Sequence, residues 1–242
     1  MSKLNSGADV AAQGLFEISS TQLHDLGEVI RTSDGRTFRY AKAGAVDLVA
    51  GKLNQAAAEI TNHQDLTPSA AAIGATQVTV TLGATAATAN YYAGGYLIVT
   101  TSAGVGNIYL IKSHPAASSS GSLTITLDEP IAVALTTSSR IDLVPNPLSA
   151  VVVNPTSATS APVGVNNIAV TAGYYFWLQT GGVTSVLAKG ALVVGTQVFA
   201  SDTTAGAVEP IAGVTAGTQA NVGLAVAGTA DGQNGAVKLL LD

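Results

Sequence analysis

The stretch GYLIVTTSAGVGNIYLIKS, residues 95–113, decides the fold class of this 242-residue chain. Two short runs rich in β-branched and aromatic residues, 95–101 and 107–113, lie on either side of the segment AGVGN. Runs of this kind, separated by a turn that contains glycine, are typical of a β-hairpin. Because these glycines stand before a second strand and not before a helix, they indicate a turn and not a phosphate-binding loop.

The same pattern continues on both sides of this hairpin. Further short β-prone runs, several of them alternating, occupy residues 77–82, 122–128, 140–146, 167–172, 174–180, 183–188, 191–200, 207–214, 220–228 and 236–242. Short strands at this spacing predict an all-β fold. The sequence WLQT-GG-VTSV further predicts a two-residue hairpin through Gly181 and Gly182.

We expect three segments along the chain. Residues 1–66 are predicted to form an extended arm and a β-hairpin, residues 67–146 a β-sandwich-like domain, and residues 147–242 a small Gly/Val-rich β-barrel. Part of this is left open, because residues 45–60 fit either a short helix or a strand followed by a turn. The arm should order against another surface, since it carries apolar residues that a free tail does not need: Leu15, Phe16, Ile18 and Leu23.

The hairpin segment GEVIRTSDGRTFRYAKAG, residues 27–44, concentrates positive charge. Together with Lys52 it holds half of the ten Lys and Arg residues. A two-residue turn at Asp34-Gly35 would place Arg31 opposite Phe38. Both hairpin faces would then mix aromatic, aliphatic and cationic side chains, which suits contact on both sides. The expected contact residues are Arg31, Arg36, Phe38, Arg39 and Tyr40.

The composition favours a protein that hides surface in an assembly. Charged residues are 10% of the chain, against roughly 25% in an ordinary soluble domain. A monomer with an uncharged Ser/Thr/Asn surface is the alternative. A net charge of -5, with only Lys112, Arg140, Lys189 and Lys238 positive after residue 66, argues against nucleic-acid binding. No signal-peptide pattern or long apolar run appears, so we expect synthesis in the cytosol and no membrane contact.

Motifs for catalysis or metal binding are lacking, so we expect no enzyme and no cofactor. The chain has no cysteine and no nucleophile elbow. Its three histidines have no metal-ligand spacing and are expected in solvated loops: His24, His63 and His114. A hydrolase whose carboxylates meet only in the folded protein remains a third hypothesis, with Glu129 and Asp142 as candidates.

Four aromatic residues stand together in GYYFWLQTGG. Alternation along a strand places Tyr174 and Phe176 on one face and Tyr175 and Trp177 on the other. One face is expected in the core, which leaves Tyr175 and Trp177 as candidate interface or ligand-binding residues. Packing of both faces in the core is the alternative.

Two parts of the chain resemble tailed-bacteriophage structural proteins. Residues 188–242 resemble the small β-barrel of capsid decoration (cement) proteins, and the matching pieces are 190–198, 223–227 and 235–241. The segment LGEVIRTSDGRTFRYAKAGAVDLVAGKL, residues 26–53, is similar to the start of phage proteins encoded near the major capsid protein. The middle segment, 67–146, matches no part of that pattern.

The resemblance implies a virion protein made in the host cytoplasm. Such a protein binds the major capsid protein on the exterior of an icosahedral head, often as a homotrimer, and stabilises the capsid. Arg31, Arg36 and Arg39 would then pair with capsid carboxylates. Phe38 and Tyr40 would fill pockets, since arginine and aromatic residues are favoured interface anchors. A carbohydrate-binding module or fibre-type adhesin that uses the aromatic strand is the alternative.

Overall fold

The computed structural model describes residues 12–215 and 219–242, so the first part of the expected arm, residues 1–11, lies outside the described residues. The all-β fold is confirmed: the described residues form strands and one short 3-10 helix, Thr61–His63. The strands are β1 (Val29–Arg31), β2 (Thr37–Lys42), β3 (Lys52–Gln55), β4 (Gln77–Thr81), β5 (Tyr96–Thr101), β6 (Ile108–Ser113), β7 (Ser122–Leu127), β8 (Arg140–Val144), β9 (Val152–Val153), β10 (Pro162–Asn166), β11 (Tyr175–Leu187), β12 (Gln197–Ala200), β13 (Val208–Pro210), β14 (Asn221–Ala225) and β15 (Asn234–Leu240).

The chain forms two compact units. Unit 1 contains Met1–Ala58 and Pro147–Asp242, and unit 2 contains Glu59–Asn146. In unit 1 the strand order is β13-β12-β14-β15-β11-β10-β3-β9, and β2 also pairs with β11. The first and last segments, which the sequence analysis treated separately, therefore share one sheet.

Strand β11 holds unit 1 together, and here the predicted hairpin at Gly181-Gly182 is wrong. The strand runs on through both glycines because each half has its own partner, β2 for the first half and β15 for the second. Gly182 has φ +76°, and a Cβ there would lie 2.7 Å from the Gly35 carbonyl oxygen and 2.8 Å from the Cα of Arg36. Close approach of another backbone, and not a turn, requires this glycine.

The C-terminal part of the sheet in unit 1 curls into a half-barrel. Ala188 and Val208 form a parallel bridge, and the Lys189 amide donates to the Val208 carbonyl at 2.8 Å. This bridge links edge strand β13 to the end of β11. The enclosed core consists mainly of valine, leucine and alanine, as expected for a chain with few aromatic residues.

Two local predictions were decided by tertiary pairing. The segment left open between helix and strand contains β3, which pairs with both β10 and β9. The predicted strand at 167–172 is absent from the described structure, where Val170 forms only an isolated bridge with Leu48. Propensity alone does not create a strand when only one residue finds a partner.

Unit 2 is a five-stranded antiparallel sheet in the order β4-β7-β6-β5-β8. The predicted β5–β6 hairpin is confirmed, and its loop is closed by a hydrogen bond from the Val99 amide to the Asn107 carbonyl at 2.9 Å. Leu66 bridges to Ile141 at one sheet edge, and Pro68 bridges to Val80 at the other. The sequence predicted a sandwich-like arrangement, whereas this single sheet has its two edges connected by one short segment around a common core.

The prediction that the histidines lie in solvated loops is wrong. His63 is fully buried and its ring nitrogens contact the Tyr92 hydroxyl and the Thr85 carbonyl. His114 is also buried, and its Nε2 accepts the Tyr92 amide at 3.0 Å. The side chain of His24 is 6% exposed. Burial among these groups raises the pKa of Tyr92, which therefore stays a neutral hydrogen-bonding partner.

Candidate functional site

The hairpin of β1 and β2 has a different register from the one predicted. Ile30 lies opposite Phe38, and Arg31 lies opposite Thr37. The turn contains three residues, 33–35, because the Thr32 amide donates to the Arg36 carbonyl at 3.0 Å and Gly35 adopts φ +84°. A glycine in the left-handed region is typical of a three-residue hairpin turn. The shift by one residue places Arg31 on the face opposite Phe38 and Tyr40, where alternation along β2 already puts Arg39.

One face of the hairpin is buried in the core of unit 1. Ile30, Phe38 and Tyr40 are fully buried there with Trp177, which is 1% exposed. The Tyr40 and Trp177 rings lie edge to face, with centroids 5.0 Å apart. The predicted contact residues Phe38 and Tyr40, and the candidate platform Trp177, therefore present no surface to a partner. Tyr175 is half-buried and stacks on Tyr40 at 5.9 Å.

The arm covers this aromatic cluster through Gln13, a residue that sequence analysis missed. Its side chain accepts a hydrogen bond from the Tyr40 hydroxyl at 2.7 Å. The backbone carbonyl of Gln13 accepts a hydrogen bond from the Trp177 indole N–H at 3.1 Å. Its side-chain nitrogen, Nε2, donates to the Tyr175 carbonyl at 3.1 Å. Gln13 is 2% exposed. A single glutamine among small residues carries no sequence signal for this role.

The rest of the described arm has an inner and an outer side. Ser19 and Tyr175 exchange backbone hydrogen bonds of 3.0 and 2.8 Å, and Leu15 packs against the aromatic cluster. Phe16, Ile18 and Leu23 point outward and are 56%, 37% and 44% exposed. The arm therefore orders on its own unit and leaves three of its four predicted apolar anchors exposed.

Two of the three hairpin arginines are paired within unit 1. Arg39 binds the Asp242 side chain, with Nε and Nη2 lying 2.9 and 2.6 Å from Oδ1. Burial raises the pKa of the Asp242 carboxyl, but hydrogen bonds from Arg39 and Thr180 outweigh it and hold that pKa below its usual value. Arg36 binds Asp34 through Nε at 2.9 Å. Of the three, Arg31 alone is exposed.

A groove with a cavity volume of about 300 Å³ lies between the arm and β11. Arg36 and Phe16 line it together with polar residues of several segments, and the remaining lining residues are Ala50, Gly51, Asn167, Gln179, Val183, Thr184, Ser185 and Asn234. Because these residues come from distant parts of the sequence, no local pattern indicates the groove.

The floor of the groove is a closed hydrogen-bond network. The Asn167 amide nitrogen donates to Oε1 of Gln179 at 2.7 Å, and the Thr184 hydroxyl donates to Oδ1 of Asn167 at 3.0 Å. The Gln179 amide nitrogen donates to the carbonyls of Gly181 and Val183. Gln179 is 1% exposed. Satisfied buried amides of this kind rigidify a site.

Catalytic groups do not converge on this groove. Asp202 and Glu209 meet elsewhere in unit 1, where the Asp202 amide donates to Oε1 of Glu209 at 3.2 Å. Burial raises the pKa of Glu209, and the neighbouring Asp202 carboxylate adds to that shift. Of the carboxylates that the sequence singled out, Glu129 is exposed and Asp142 is half-buried and accepts the Asp65 amide at 2.8 Å. Across residues 12–215 and 219–242, no group of three or more His, Asp or Glu side chains could hold a metal ion.

Unit 2 has an apolar stripe on the outer face of its sheet. The register places Tyr96 opposite Leu110 and Ile98 opposite Ile108, so all four side chains lie on one face. Tyr96, Ile108 and Leu110 are 38%, 54% and 39% exposed. This stripe is a second candidate contact surface.

Comparison with known proteins adds no relative. The chain matches no known protein family, no curated protein and no solved structure. Within the part of the chain that the structure describes, no helix is long and apolar enough to cross a membrane. The function is therefore inferred from the geometry of the chain's own residues.

Proposed function

We propose that this protein is a non-enzymatic structural protein of a tailed-phage virion, which binds the major capsid protein on the outside of the head and stabilises the capsid. The observation that carries this proposal is the arrangement of the arm. Gln13 fastens its inner side to the aromatic cluster, while Phe16, Ile18 and Leu23 face outward. The described part of the arm, residues 12–26, is thus an ordered ribbon that carries three exposed apolar side chains.

An ordered ribbon is a favourable binding element for a physical reason. A partner that contacts it does not have to order the chain first, so less of the interaction free energy is lost to entropy. Aromatic and aliphatic side chains at the centre of such a contact give most of the binding free energy. The low charge content, 10% of residues, supports a surface that is covered in an assembly.

The structure narrows the role of the hairpin in this proposal. Arg39 is committed to Asp242, and Phe38 and Tyr40 are core residues. Arg31 and Arg36 remain as the cationic contacts of the hairpin. We also propose that copies associate on the head as homotrimers, and the exposed apolar stripe of unit 2 supports self-association.

Co-sedimentation tests the proposal directly. Purified protein is mixed with undecorated heads assembled from the major capsid protein of the same genome, and saturable binding of the wild type is expected. The affinity of a Phe16→Ser, Ile18→Ser, Leu23→Ser variant for heads should be at least about tenfold lower than that of the wild type. The matched control is Val193→Ser, Val194→Ser, Ile211→Ser, which removes comparably exposed apolar side chains elsewhere in unit 1 and should bind normally. Failure of the wild type to sediment with heads overturns the proposal.

The carbohydrate-binding or adhesin alternative depended on an exposed aromatic strand. Trp177 is buried beneath the arm and donates its indole N–H to Gln13. Tyr175 has Tyr40 stacked against one face of its ring and the Lys42 ammonium 5.2 Å from its centroid. The residues named for that alternative are therefore not placed to stack on a sugar.

A further inference from the structure

We propose that the groove between the arm and β11 receives an aspartate or glutamate side chain of the partner protein, with Arg36 as its cationic contact. This inference rests on the proposed function, because it takes the occupant from the protein that the arm contacts. It goes beyond that function by naming the binding site, the residue that contacts the partner and the chemical group that is bound.

The charge of the groove selects the ligand. Arg36 is the only ionisable residue among those that line it, and a guanidinium keeps its charge at every physiological pH. Its Nε is committed to Asp34 at 2.9 Å, while its two Nη groups have no side-chain or backbone acceptor among the described residues. A carboxylate is the ligand that two such donors bind best, since it accepts two parallel hydrogen bonds.

Arg36 is held in place before any ligand arrives. Its guanidinium carbon lies 5.5 Å from the centroid of the buried Phe38 ring, and its side chain is 23% exposed. Asp34 binds it from the Nε side. An arginine fixed in this way loses little conformational freedom on binding, and its partial burial strengthens the attraction relative to a fully solvated cation.

The other groove residues suit the rest of an acidic side chain. Ser185 and Asn234 are exposed and make no side-chain hydrogen bond with another described residue, so they can donate to the second carboxylate oxygen or to the partner backbone. Phe16 provides an apolar wall for the methylene stem. The volume, about 300 Å³, is at the lower end of ligand sites and is suited to one inserted side chain.

The groove adjoins the outward side of the arm. Phe16 belongs both to the groove and to the outward side of the arm. The groove is therefore continuous with the ribbon that we propose meets the capsid, and this continuity favours a protein carboxylate over that of an acidic sugar.

Titration of the ¹⁵N-labelled full chain tests the groove without any capsid. The probes are N-acetyl-glutamate N-methylamide, the matching capped glutamine, and glucuronate. The capped glutamate should shift the amide signals of Thr184, Ser185 and Gly51 with millimolar affinity, and the capped glutamine should bind about tenfold more weakly. Equal binding of the two overturns the inference, as does glucuronate binding about tenfold more tightly than the capped glutamate.

Two substitutions that each remove one positive charge distinguish binding in the groove from an effect of the overall charge of the hairpin. Arg36→Met should abolish the shifts, whereas Arg31→Met, on the exposed face, should preserve them. Arg36→Lys keeps a charge and should bind weakly, which keeps the test valid if Arg36→Met unfolds. Retained binding by a folded Arg36→Met variant, checked by circular dichroism, contradicts the inference.

The same variants in head co-sedimentation distinguish the two proposals. Arg36→Met should weaken head binding about tenfold, and Arg31→Met should have a smaller effect. If capped glutamate binds in the groove but the wild type does not bind heads, the carboxylate site stands and the capsid proposal fails. If heads bind the wild type and Arg36→Met equally, the groove inference fails and the capsid proposal stands.

Discussion

The Tyr40 hydroxyl donates a 2.7 Å hydrogen bond to Oε1 of Gln13, and this contact joins the arm to the hairpin core. The carbonyl of the same Gln13 accepts the indole N–H of Trp177, which stands 164 residues further along the chain. Three distant segments thus meet at one glutamine. This part of the arm therefore belongs to the folded unit. The contacts of its inner side with Tyr40 and Trp177 hold its outward apolar residues in position.

Replacement of Gln13 should loosen the arm. Gln13→Ala removes the acceptor of the buried Tyr40 hydroxyl and the side-chain donor to the Tyr175 carbonyl, so we expect a loss of about 1–3 kcal/mol in the free energy of unfolding. Trp177 is the single tryptophan, so a red shift of its emission reports water entry as the arm leaves. Gln22→Ala is the control, because the Gln22 side chain is exposed and, among the described residues, bonds only the nearby His24 carbonyl. An unchanged emission maximum in Gln13→Ala would contradict this role.

Gly182→Ala should destabilise unit 1 through a backbone clash. The new Cβ would lie 2.7 Å from the Gly35 oxygen, and the residue would also be held at φ +76°. We expect a loss of at least about 2 kcal/mol, measured by urea unfolding. Gly195→Ala is the matched control, since Gly195 has φ +80° but no atom of a described residue beyond its chain neighbours within 4 Å of its Cβ position. Equal losses in the two variants would show that conformation alone, and not close approach, requires Gly182.

Asp242→Asn should weaken the attachment of the C-terminal end to the hairpin. The Arg39–Asp242 pair is partly exposed, with 36% and 19% of the two side chains accessible, so solvent screening limits the loss to about 1 kcal/mol. Hydrogen bonds from Arg39 and Thr180 hold the folded-state pKa of Asp242 below its ordinary value of 3.8, so its contribution is present above that value and is lost as the pH falls below it. The difference in Tm between wild type and Asp242→Asn should therefore shrink in acid. Asp25→Asn, an exposed carboxylate without this partner, serves as the control, and a difference independent of pH would contradict the assignment.

Glu209 should give the opposite pH dependence. Its folded-state pKa is raised by burial above its ordinary value of 4.5, so the fold favours the protonated acid. Its stabilising contribution is complete below that value and is lost as the pH rises through the raised pKa. Glu209→Gln keeps the hydrogen-bonding shape without the charge. This variant should therefore equal the wild type in Tm at low pH and exceed it at neutral pH, as measured by thermal melts. A variant less stable than the wild type at neutral pH would show that the ionised carboxylate is needed to hold the 202–206 loop.

The local sequence was sufficient for much of unit 2. Each of the five β-prone runs between residues 77 and 146 became a strand, and the glycines of AGVGN formed the expected turn. These strands alternate buried and exposed or partly buried side chains, and two of the four strand pairings, β5–β6 and β6–β7, join strands that follow one another in the sequence. Period-2 alternation and turn chemistry act over a few residues, so the sequence reports them directly.

The candidate site depended on contacts that no local pattern records. One extra residue in the turn at 33–35 changed the register, so Arg31 lies opposite Thr37 and not opposite Phe38. Packing with Ile30 and Trp177 buries Phe38 and Tyr40 in the core. The two halves of β11 found different partners, so a Gly-Gly pair that is typical of a hairpin became the middle of a strand.

The sequence by itself determined the all-β class, the strand-forming runs of unit 2 and the scarcity of charge. Only the tertiary structure decided which residues are available to a partner. Burial and pairing depend on which distant segments meet, as Gln13 meets Trp177 and Arg39 meets Asp242, and the free energy of those contacts overrides local preference. In unit 1 the exposed side of the arm, Arg31 and the Arg36 groove, and not the whole cationic hairpin, are the surfaces available for the recognition that we propose.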